Sequence, residues 1–284
     1  MRVRWLVVFA WLASLDAQRL PSRLKDPVGP PPATRPATPP RPGSPAKSTA
    51  APSPAPSGPD KAVPFAAGET LTYDVTWSDM LTAGTATVTV RDRRASFGST
   101  AWYIVAEGKP TPLVAKLYTL YYKVDTLLDT RTLLPQRGSV FSQEGRRQRM
   151  KETRFDHPVR RAHFEMKTRT TMQEEQRLGG TTHDGLSALF ALRAMRFAPG
   201  AAVTFSVADS GELYRVSAKV VGRESVQTRS GSRMAWKVVP TVHDETGALF
   251  GKGLAVWYSD DAARVPVKVE ARLPVGAFVL TLAF

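Results

Sequence analysis

The stretch GETLTYDVTWSDMLTAGTATVTV, residues 68–90, decides the fold. Apolar side chains alternate with threonines and an aspartate in both of its halves. The apolar residues are Leu71, Tyr73, Val75 and Trp77 in the first half and Ala86, Val88 and Val90 in the second. A period of two puts such residues on one face of a β-strand. The short segment 78–83 suits a hairpin connection, so the stretch predicts two antiparallel strands.

The same alternation recurs through the rest of the chain, for example over residues 161–173. We count about eleven to thirteen predicted strands joined by turn-sized gaps, a spacing typical of a meander. One segment, 184–197, follows a helical period instead. Thr182 or Asp184 is placed to cap that helix, and Pro199-Gly200 ends it.

These elements predict an all-β fold with one helix. Open sheets rarely exceed ~10 strands without curling. We therefore expect a large antiparallel meander curled into an open or half β-barrel, with the helix at 184–197 covering part of one face. A hydrophobic cavity or groove is expected between sheet and helix. Full closure around a core of side chains is the alternative.

Three segments divide the chain. Arg2 and Arg4 precede an apolar run that ends near Leu15, which predicts a signal peptide over residues 1–17. Fifteen of the 23 prolines fall in residues 18–64, which predicts a disordered proline-rich linker. Residues 65–284 form a single antiparallel β domain. The expected location is the periplasm or the secreted fraction, and an uncleaved signal that tethers the protein to the inner membrane is the alternative.

Charge and composition restrict the partners. The 284 residues contain no cysteine, which excludes disulfides, thiolate chemistry and a cysteine-linked lipid anchor. The net charge is +14, but nine of the 39 cations and three of the 25 acids precede Phe65, leaving +8 on the body. This balance does not indicate a nucleic-acid partner. The densest basic run predicts contact with an anionic envelope surface, or alternatively a solvated sheet edge. Its cations are Arg146, Arg147, Arg149 and Lys151, with Arg154 beyond them.

Four separated motifs resemble Domain of Unknown Function family 3108, a group of bacterial envelope proteins. They are GETLTYDVTWSDMLTAGTATVTV (68–90), YYKVDTLLDTRTLLPQR (121–137), DGLSALFALR (184–193) and GKGLAVWYSDDAARVPVKVEARLPVG (251–276). The resemblance implies an exported antiparallel β domain and no established activity. The strand, acidic turn and proline pattern at 123–137 and 256–269 also resembles periplasmic half-barrels of the lipoprotein-carrier type.

No residue set predicts catalysis, a metal or a cofactor. The four histidines lack a metal-ligand spacing. His183, Asp184 and Ser187 include the residue types of a hydrolase triad, but neighbouring His and Asp side chains cannot easily pair as base and orienter. Asp184 is better interpreted as a helix cap. An enzyme acting on an envelope glycan through paired carboxylates stays an alternative.

Aromatic residues carry the functional prediction. The segment 117–122 reads as a strand that is apolar on both faces and must be covered on both. Plain packing in the core explains such large aromatics, and a curled sheet around a hydrophobic ligand would need the same residue types. The predicted ligand-binding residues are Tyr73, Trp77, Tyr118, Tyr121, Tyr122 and Trp257. We therefore expect a non-enzymatic domain that binds a lipid or another hydrophobic envelope molecule. The alternatives are a structural or interaction module of the envelope, the glycan enzyme, and an outer-membrane barrel.

Overall fold

The computed structural model describes residues 58–78, 81–117, 119–251, 253–273 and 276–283. These residues form two helices and one sixteen-stranded sheet. The helices are α1 (Pro112–Leu117) and α2 (Gly185–Arg193). The strands are β1 (Thr70–Trp77), β2 (Leu81–Ser96), β3 (Ser99–Pro110), β4 (Leu120–Asp129), β5 (Pro135–Glu144), β6 (Arg147–Asp156), β7 (Arg161–Lys167), β8 (Thr171–Arg177), β9 (Thr182–His183), β10 (Ala202–Asp209), β11 (Glu212–Thr228), β12 (Gly231–His243), β13 (Leu249–Gly251), β14 (Leu254–Ser259), β15 (Pro266–Leu273) and β16 (Gly276–Leu282).

The sheet is a meander whose first and last strands are neighbours. Strand β1 pairs antiparallel with both β2 and β16, with Tyr73 opposite Ala86 on one side and Leu282 on the other. The spatial order is therefore β8 to β1 followed by β16 back to β9, with β13 beside β12. The predicted antiparallel meander is confirmed. The pairing of β1 with β16 joins the two halves of the chain into one sheet.

The sheet is open between β8 and β9, which are consecutive in the chain. The two edges nevertheless lie close together, because the sheet curls. Lys151 on β6 donates from Nζ to Ser210 Oγ, in the β10–β11 turn, at 2.6 Å. An apolar cluster of Phe155, Ala162, Leu178 and Ala208 also joins β6 and β7 to β10. The result is the expected curled, open sheet, held across its opening by side chains.

A long hairpin covers part of the outer face. Strands β11 and β12 shift register at Val220/Gly222. Beyond that shift, Glu224 accepts a hydrogen bond from Trp257 Nε1 at 2.6 Å, and Arg229 donates to Asp74 on β1 at 2.8 Å. Every residue of β14 is consequently buried. Both faces of β14 are thus covered, whereas Leu120 and Tyr121 in the segment 117–122 that the sequence suggested are only half-buried.

Helix α2 is shorter than expected. It ends at Arg193 and not at residue 197, and Ala194 is its C-cap. The reason is the Arg264 side chain, which donates to the carbonyl oxygens of Arg193 at 2.9 Å and Met195 at 2.7 Å. These carbonyls are satisfied without a further helical turn. Phe197, which continued the apolar period, still packs on Tyr258 at 5.1 Å between ring centroids.

The sequence also missed α1. Leu117 ends this six-residue helix, and β4 begins only at Leu120. The proposed strand 117–122 is therefore wrong in its first part. Tyr118 lies outside the described residues. Pro112 opens α1 at the first helical position, where its missing N–H is no loss. A helix this short has too little periodicity to be recognised in a sequence.

Contact with the sheet begins before Phe65. Asp60 accepts a hydrogen bond from Thr130 Oγ1 at 2.6 Å, and the Lys61 N–H donates to the Thr130 carbonyl oxygen at 2.9 Å. The end of the predicted linker thus packs on the turn after β4. The predicted signal peptide and linker residues 18–57 lie outside the described residues.

Candidate functional site

The start of helix α2 is fixed by a capping box. The N-cap Asp184 accepts the Ser187 N–H on Oδ1 at 2.8 Å, and the Ser187 hydroxyl accepts the Asp184 N–H at 3.0 Å. This exchange satisfies two backbone donors that a helix start leaves free. The interpretation of Asp184 as a cap is confirmed. Ser187 Oγ also donates to the Asp184 carbonyl oxygen at 3.0 Å, so its hydroxyl serves the cap.

The same carboxylate ties the helix to the sheet. Its Oδ2 accepts from Thr126 Oγ1 on β4 at 2.7 Å. Gly138 on β5 leaves room for it, since a Cβ there would lie 3.0 Å from Asp184 Oδ2. Burial raises the pKa of Asp184 to about 6, although the hydrogen bonds from Ser187 and Thr126 favour the ionised form. The position of α2 is thereby set from β4 and β5.

A buried arginine fixes the other end of the helix. Arg193 is 0% exposed and donates to Glu69 from Nη1 at 2.5 Å and from Nη2 at 3.0 Å. Its Nη2 also donates to the Ala263 carbonyl oxygen at 2.9 Å. The Phe65 and Phe190 rings flank the guanidinium at 5.3 and 5.2 Å. The four motifs quoted above therefore meet around α2.

A pocket of about 460 Å³ lies beside α2. We call it the rim pocket. Helix α2 and the residues after it form one wall, β10 forms another, and the β4–β5 turn and the Lys61 segment complete it. Its lining consists of Lys61, Ala62, Thr132, Leu133, Leu134, Thr181, His183, Ala188, Ala191, Leu192, Ala194, Met195, Val203, Thr204 and Phe205. Ten of these fifteen residues are apolar and five are polar, and polar and apolar atoms contribute almost equally to the surface of the pocket.

His183 is the buried polar residue of the rim pocket. Its ring meets the Phe205 ring edge-on, with 5.5 Å between centroids, and its Nδ1 lies 3.4 Å from Ser187 Oγ. Burial, together with the smaller effect of the charges of His157 and Lys61, lowers the pKa of His183 to about 4. His183 is therefore neutral at pH 7.

A second, smaller cavity lies inside the curled sheet. Its volume is about 30 Å³, which has room for a water molecule but not for an acyl chain. We call it the interior cavity. Asp125, Lys151 and Asp184 are among its lining residues. Asp125 accepts hydrogen bonds from Arg137 and Ser139. Polar side chains thus occupy the space where a ligand inside the sheet would lie.

The five predicted aromatic residues that the structure describes do not line the rim pocket. Tyr73 is buried and donates to the Pro266 carbonyl oxygen at 2.8 Å. Tyr122 is buried on the inner face and donates to Glu144 at 2.6 Å, whereas Tyr121 is half-buried and donates to Glu107 at 3.2 Å. Each hydroxyl therefore has a partner within the protein.

The two tryptophans lie elsewhere again. Trp77 on β1 packs beside Phe278, 6.5 Å between centroids. Trp257 on β14 is 3% exposed and lies under the ammonium groups of Lys237 and Lys268, at 4.9 and 4.6 Å. Ligand binding by the six aromatics stays a prediction. The structure brings Tyr73, Tyr122 and Trp257 into the packed body and not to one site.

The basic run at the start of β6 is split by the strand geometry. Arg146 and Arg147 are exposed, and Arg149 is half-buried. Lys151 is only 5% exposed and reaches Ser210 inside the curled sheet. Lys151 therefore cannot contact an envelope surface, which corrects its inclusion in the predicted patch. Lys151, Thr153 and Phe155 lie on the inner face at every second position of β6, as the period of a β-strand requires.

Sequence reasoning missed the residues of the rim pocket. Lys61 fell in the predicted linker, and Ala188 and Ala191 are small residues that had no place in a search for aromatics. The available signal was the small-residue side of α2, which leaves space beside the helix. Neither described helix has the length and apolar character that a membrane crossing requires. Within the described ranges no group of three His, Asp or Glu side chains is arranged to hold a metal ion.

The family model described as protein of unknown function, DUF3108, matches residues 72–283. The chain belongs to this family. Among solved structures, a beta-barrel-like protein of domain of unknown function DUF1849 from Brucella abortus superposes with a TM-score of 0.50. It is 8% identical, over 78% of this chain and 98% of that chain. A Bacteroides fragilis protein with a YmcC-like fold is 10% identical over the same shares, with a TM-score of 0.27. No curated protein matches. The class of protein is thus a beta-barrel-like domain, and the DUF1849 likeness concerns the fold alone.

Proposed function

We propose that this protein is a non-enzymatic domain that binds a lipid or another hydrophobic small molecule in the rim pocket. The single observation that carries the proposal is the pocket itself. Its volume of about 460 Å³ falls within the ~300–1,000 Å³ typical of small-molecule sites. Ten apolar residues of the lining offer contact to a hydrophobic ligand, and five polar residues can orient it.

The location of the pocket supports the proposal. Leu192, Val203 and Phe205 supply apolar surface from α2 and β10. The inner space of the sheet offers no comparable volume where it is lined by Asp125 and Lys151. A hydrophobic ligand therefore gains more from the rim pocket than from the interior cavity, because only the former offers enough apolar surface.

A blocking substitution tests the proposal. Ala191→Trp places a large side chain in the pocket, whereas Ala198→Trp puts the same side chain at an exposed position that does not line it. We expect Ala191→Trp to weaken the binding of a fluorescent fatty acid by about tenfold or more, a loss of ~1.4 kcal/mol or more. Ala198→Trp should bind like the wild type. Equal binding by both variants would overturn the assignment of the pocket.

The predicted aromatic residues provide the competing site. Trp77→Ala leaves the rim pocket intact, because Trp77 lies on β1 outside its lining. We expect Trp77→Ala to bind the probe normally. If Trp77→Ala lost binding and Ala191→Trp kept it, the ligand site would be the aromatic one.

We further propose that the domain is exported and released by cleavage near Ala17. Arg2, Arg4 and the apolar run after them support this location. Amino-terminal sequencing of the protein from a periplasmic or secreted fraction tests it. A first residue near Gln18 is expected, and an intact Met1 on membrane-bound protein would favour the tethered form.

A further inference from the structure

We propose that the ligand of the rim pocket is a single-chain amphiphile with a carboxylate head group, which lies at the Lys61 edge while its chain contacts α2. This inference rests on the proposed function and names the chemical class of the ligand. Three features of the pocket support it: one placed cation, one backbone donor and the absence of opposing charge.

The cation is Lys61. Its backbone N–H donates to the Thr130 carbonyl oxygen at 2.9 Å, and its Nζ donates to the Thr132 carbonyl oxygen at 2.9 Å. These bonds place the ammonium group on the β4–β5 turn at the pocket edge. An ammonium has three N–H donors. The bond to Thr132 uses one, and the others can bind a carboxylate.

The backbone donor comes from β10. Ser206 donates its N–H to the Thr181 carbonyl oxygen at 2.8 Å, away from β11. Because amide directions alternate along a strand, the Thr204 N–H points to the same side. The pairing of β9 with β10 covers only Ser206 and Val207, so it does not extend to Thr204. The edge of β10 thus offers an amide donor where the strand lines the pocket.

The charge of the pocket favours an anion. None of the described residues that line it is acidic, and Lys61 is the lysine among them. His183 is neutral at pH 7, because burial lowers its pKa to about 4. A carboxylate would therefore meet attraction from Lys61 and no repulsion from the lining. An alcohol of the same chain length would gain the apolar contacts alone.

The apolar part of the lining receives the chain. Ala188, Leu192, Met195 and Phe205 form a surface that runs from α2 to β10. These four side chains carry no hydrogen-bond donor, so the surface that they form suits an alkyl chain.

Competition between laurate and dodecanol tests the inference. Both are titrated against bound dansylaminoundecanoic acid on the full mature chain. We expect laurate to displace the probe at about tenfold lower concentration than dodecanol, because a charged hydrogen bond is lost in the alcohol. Lys61→Gln should bring the two within about twofold, and Lys61→Arg should restore the preference. Lys219→Gln, an exposed change on β11, is the matched control.

The outcomes separate this inference from the proposed function. Equal displacement by laurate and dodecanol in the wild type would overturn the carboxylate assignment and leave hydrophobic binding intact. An unchanged laurate preference in Lys61→Gln would overturn the role of Lys61. If the probe does not bind at all, both proposals fail. Thermal unfolding of Lys61→Gln shows whether a loss of binding reflects a loss of folding.

Discussion

The rim pocket and the interior cavity are the two spaces beside α2, and they differ in size and chemistry. The rim pocket has about 460 Å³, and ten of its fifteen lining residues are apolar, whereas the interior cavity has about 30 Å³ and charged residues such as Asp125 and Lys151 in its lining. Consecutive residues at the start of α2 line the two spaces: His183 lines the rim pocket, and Asp184 lines the interior cavity. The larger of the two spaces therefore does not lie inside the curled sheet. Here the helix fills the inner space, and its outer side leaves the larger pocket.

The ion pair at the end of α2 should give the largest effect, because it positions the helix that separates the two spaces. Arg193→Met leaves the Glu69 carboxylate without its buried partner. We expect a loss of about 3–5 kcal/mol in the free energy of unfolding. Urea unfolding measures it. Arg94→Met, which removes an exposed ion pair with Asp92, should cost less than ~1 kcal/mol. Similar losses in the two variants would contradict the anchoring role of Arg193.

The next effect concerns His183 in the rim pocket. Its pKa falls from 6.5 to about 4 on folding, so the unfolded chain binds its proton more tightly. The contribution of neutral His183 to the free energy of unfolding is complete above pH 6.5 and is lost as the pH falls towards 4. This contribution changes by about 3 kcal/mol over that range. His183→Gln should therefore lose less stability between pH 7 and pH 4 than the wild type. Parallel pH profiles would refute the assignment.

Asp184, on the interior side, should behave in the opposite way. Its pKa rises from 3.8 to about 6 on folding, so the folded chain binds the proton more tightly. The cost of the ionised carboxylate is complete above pH 6 and disappears as the pH falls towards 3.8. Asp184→Asn keeps a capping side chain. The free energy of unfolding of the variant minus that of the wild type should therefore be about 2–3 kcal/mol larger at pH 7 than at pH 4. A stability difference between the variant and the wild type that does not change with pH would contradict the burial of the Asp184 carboxylate.

The close approach of β5 to α2 gives the smallest effect. Gly138→Ala would put a Cβ within 3.0–3.2 Å of three atoms of the Asp184 side chain, in the wall of the interior cavity. We expect a loss of about 1–2 kcal/mol. Gly180→Ala is the matched control, because nothing lies within 4 Å of its added Cβ. Chemical denaturation compares the two, and equal stabilities would show that β5 and α2 tolerate separation.

Local patterns predicted much of this fold. The alternation over residues 68–90 gave β1 and β2, and the polar residues before Leu186 located the cap of α2. Tertiary contacts decided the rest. The pairing of β1 with β16 joins residues more than 200 positions apart, and no local pattern encodes it. The end of α2 depends on Arg264, which is distant in sequence.

The site was harder to predict than the fold. Trp257 looked like a ligand-binding aromatic, but the β11–β12 hairpin covers it. Lys151 looked like part of a surface patch, but it lies on the inner face of β6. Lys61 follows a proline-rich stretch and gained its position only through contacts with the β4–β5 turn. Large aromatics marked the core, whereas the pocket arose where α2 carries small residues.

The central claim is that a hydrophobic ligand occupies the rim pocket and not the inside of the sheet. Methionine ε-methyl NMR tests it directly, because Met195 lines the rim pocket, whereas Met166 lies on β7 on the same face as Phe164, which lines the interior cavity. The Met195→Leu variant assigns the key resonance. On addition of laurate, the Met195 signal should shift in a saturable manner while the Met166 signal stays in place. A saturable shift of Met166 with an unchanged Met195 would contradict the claim.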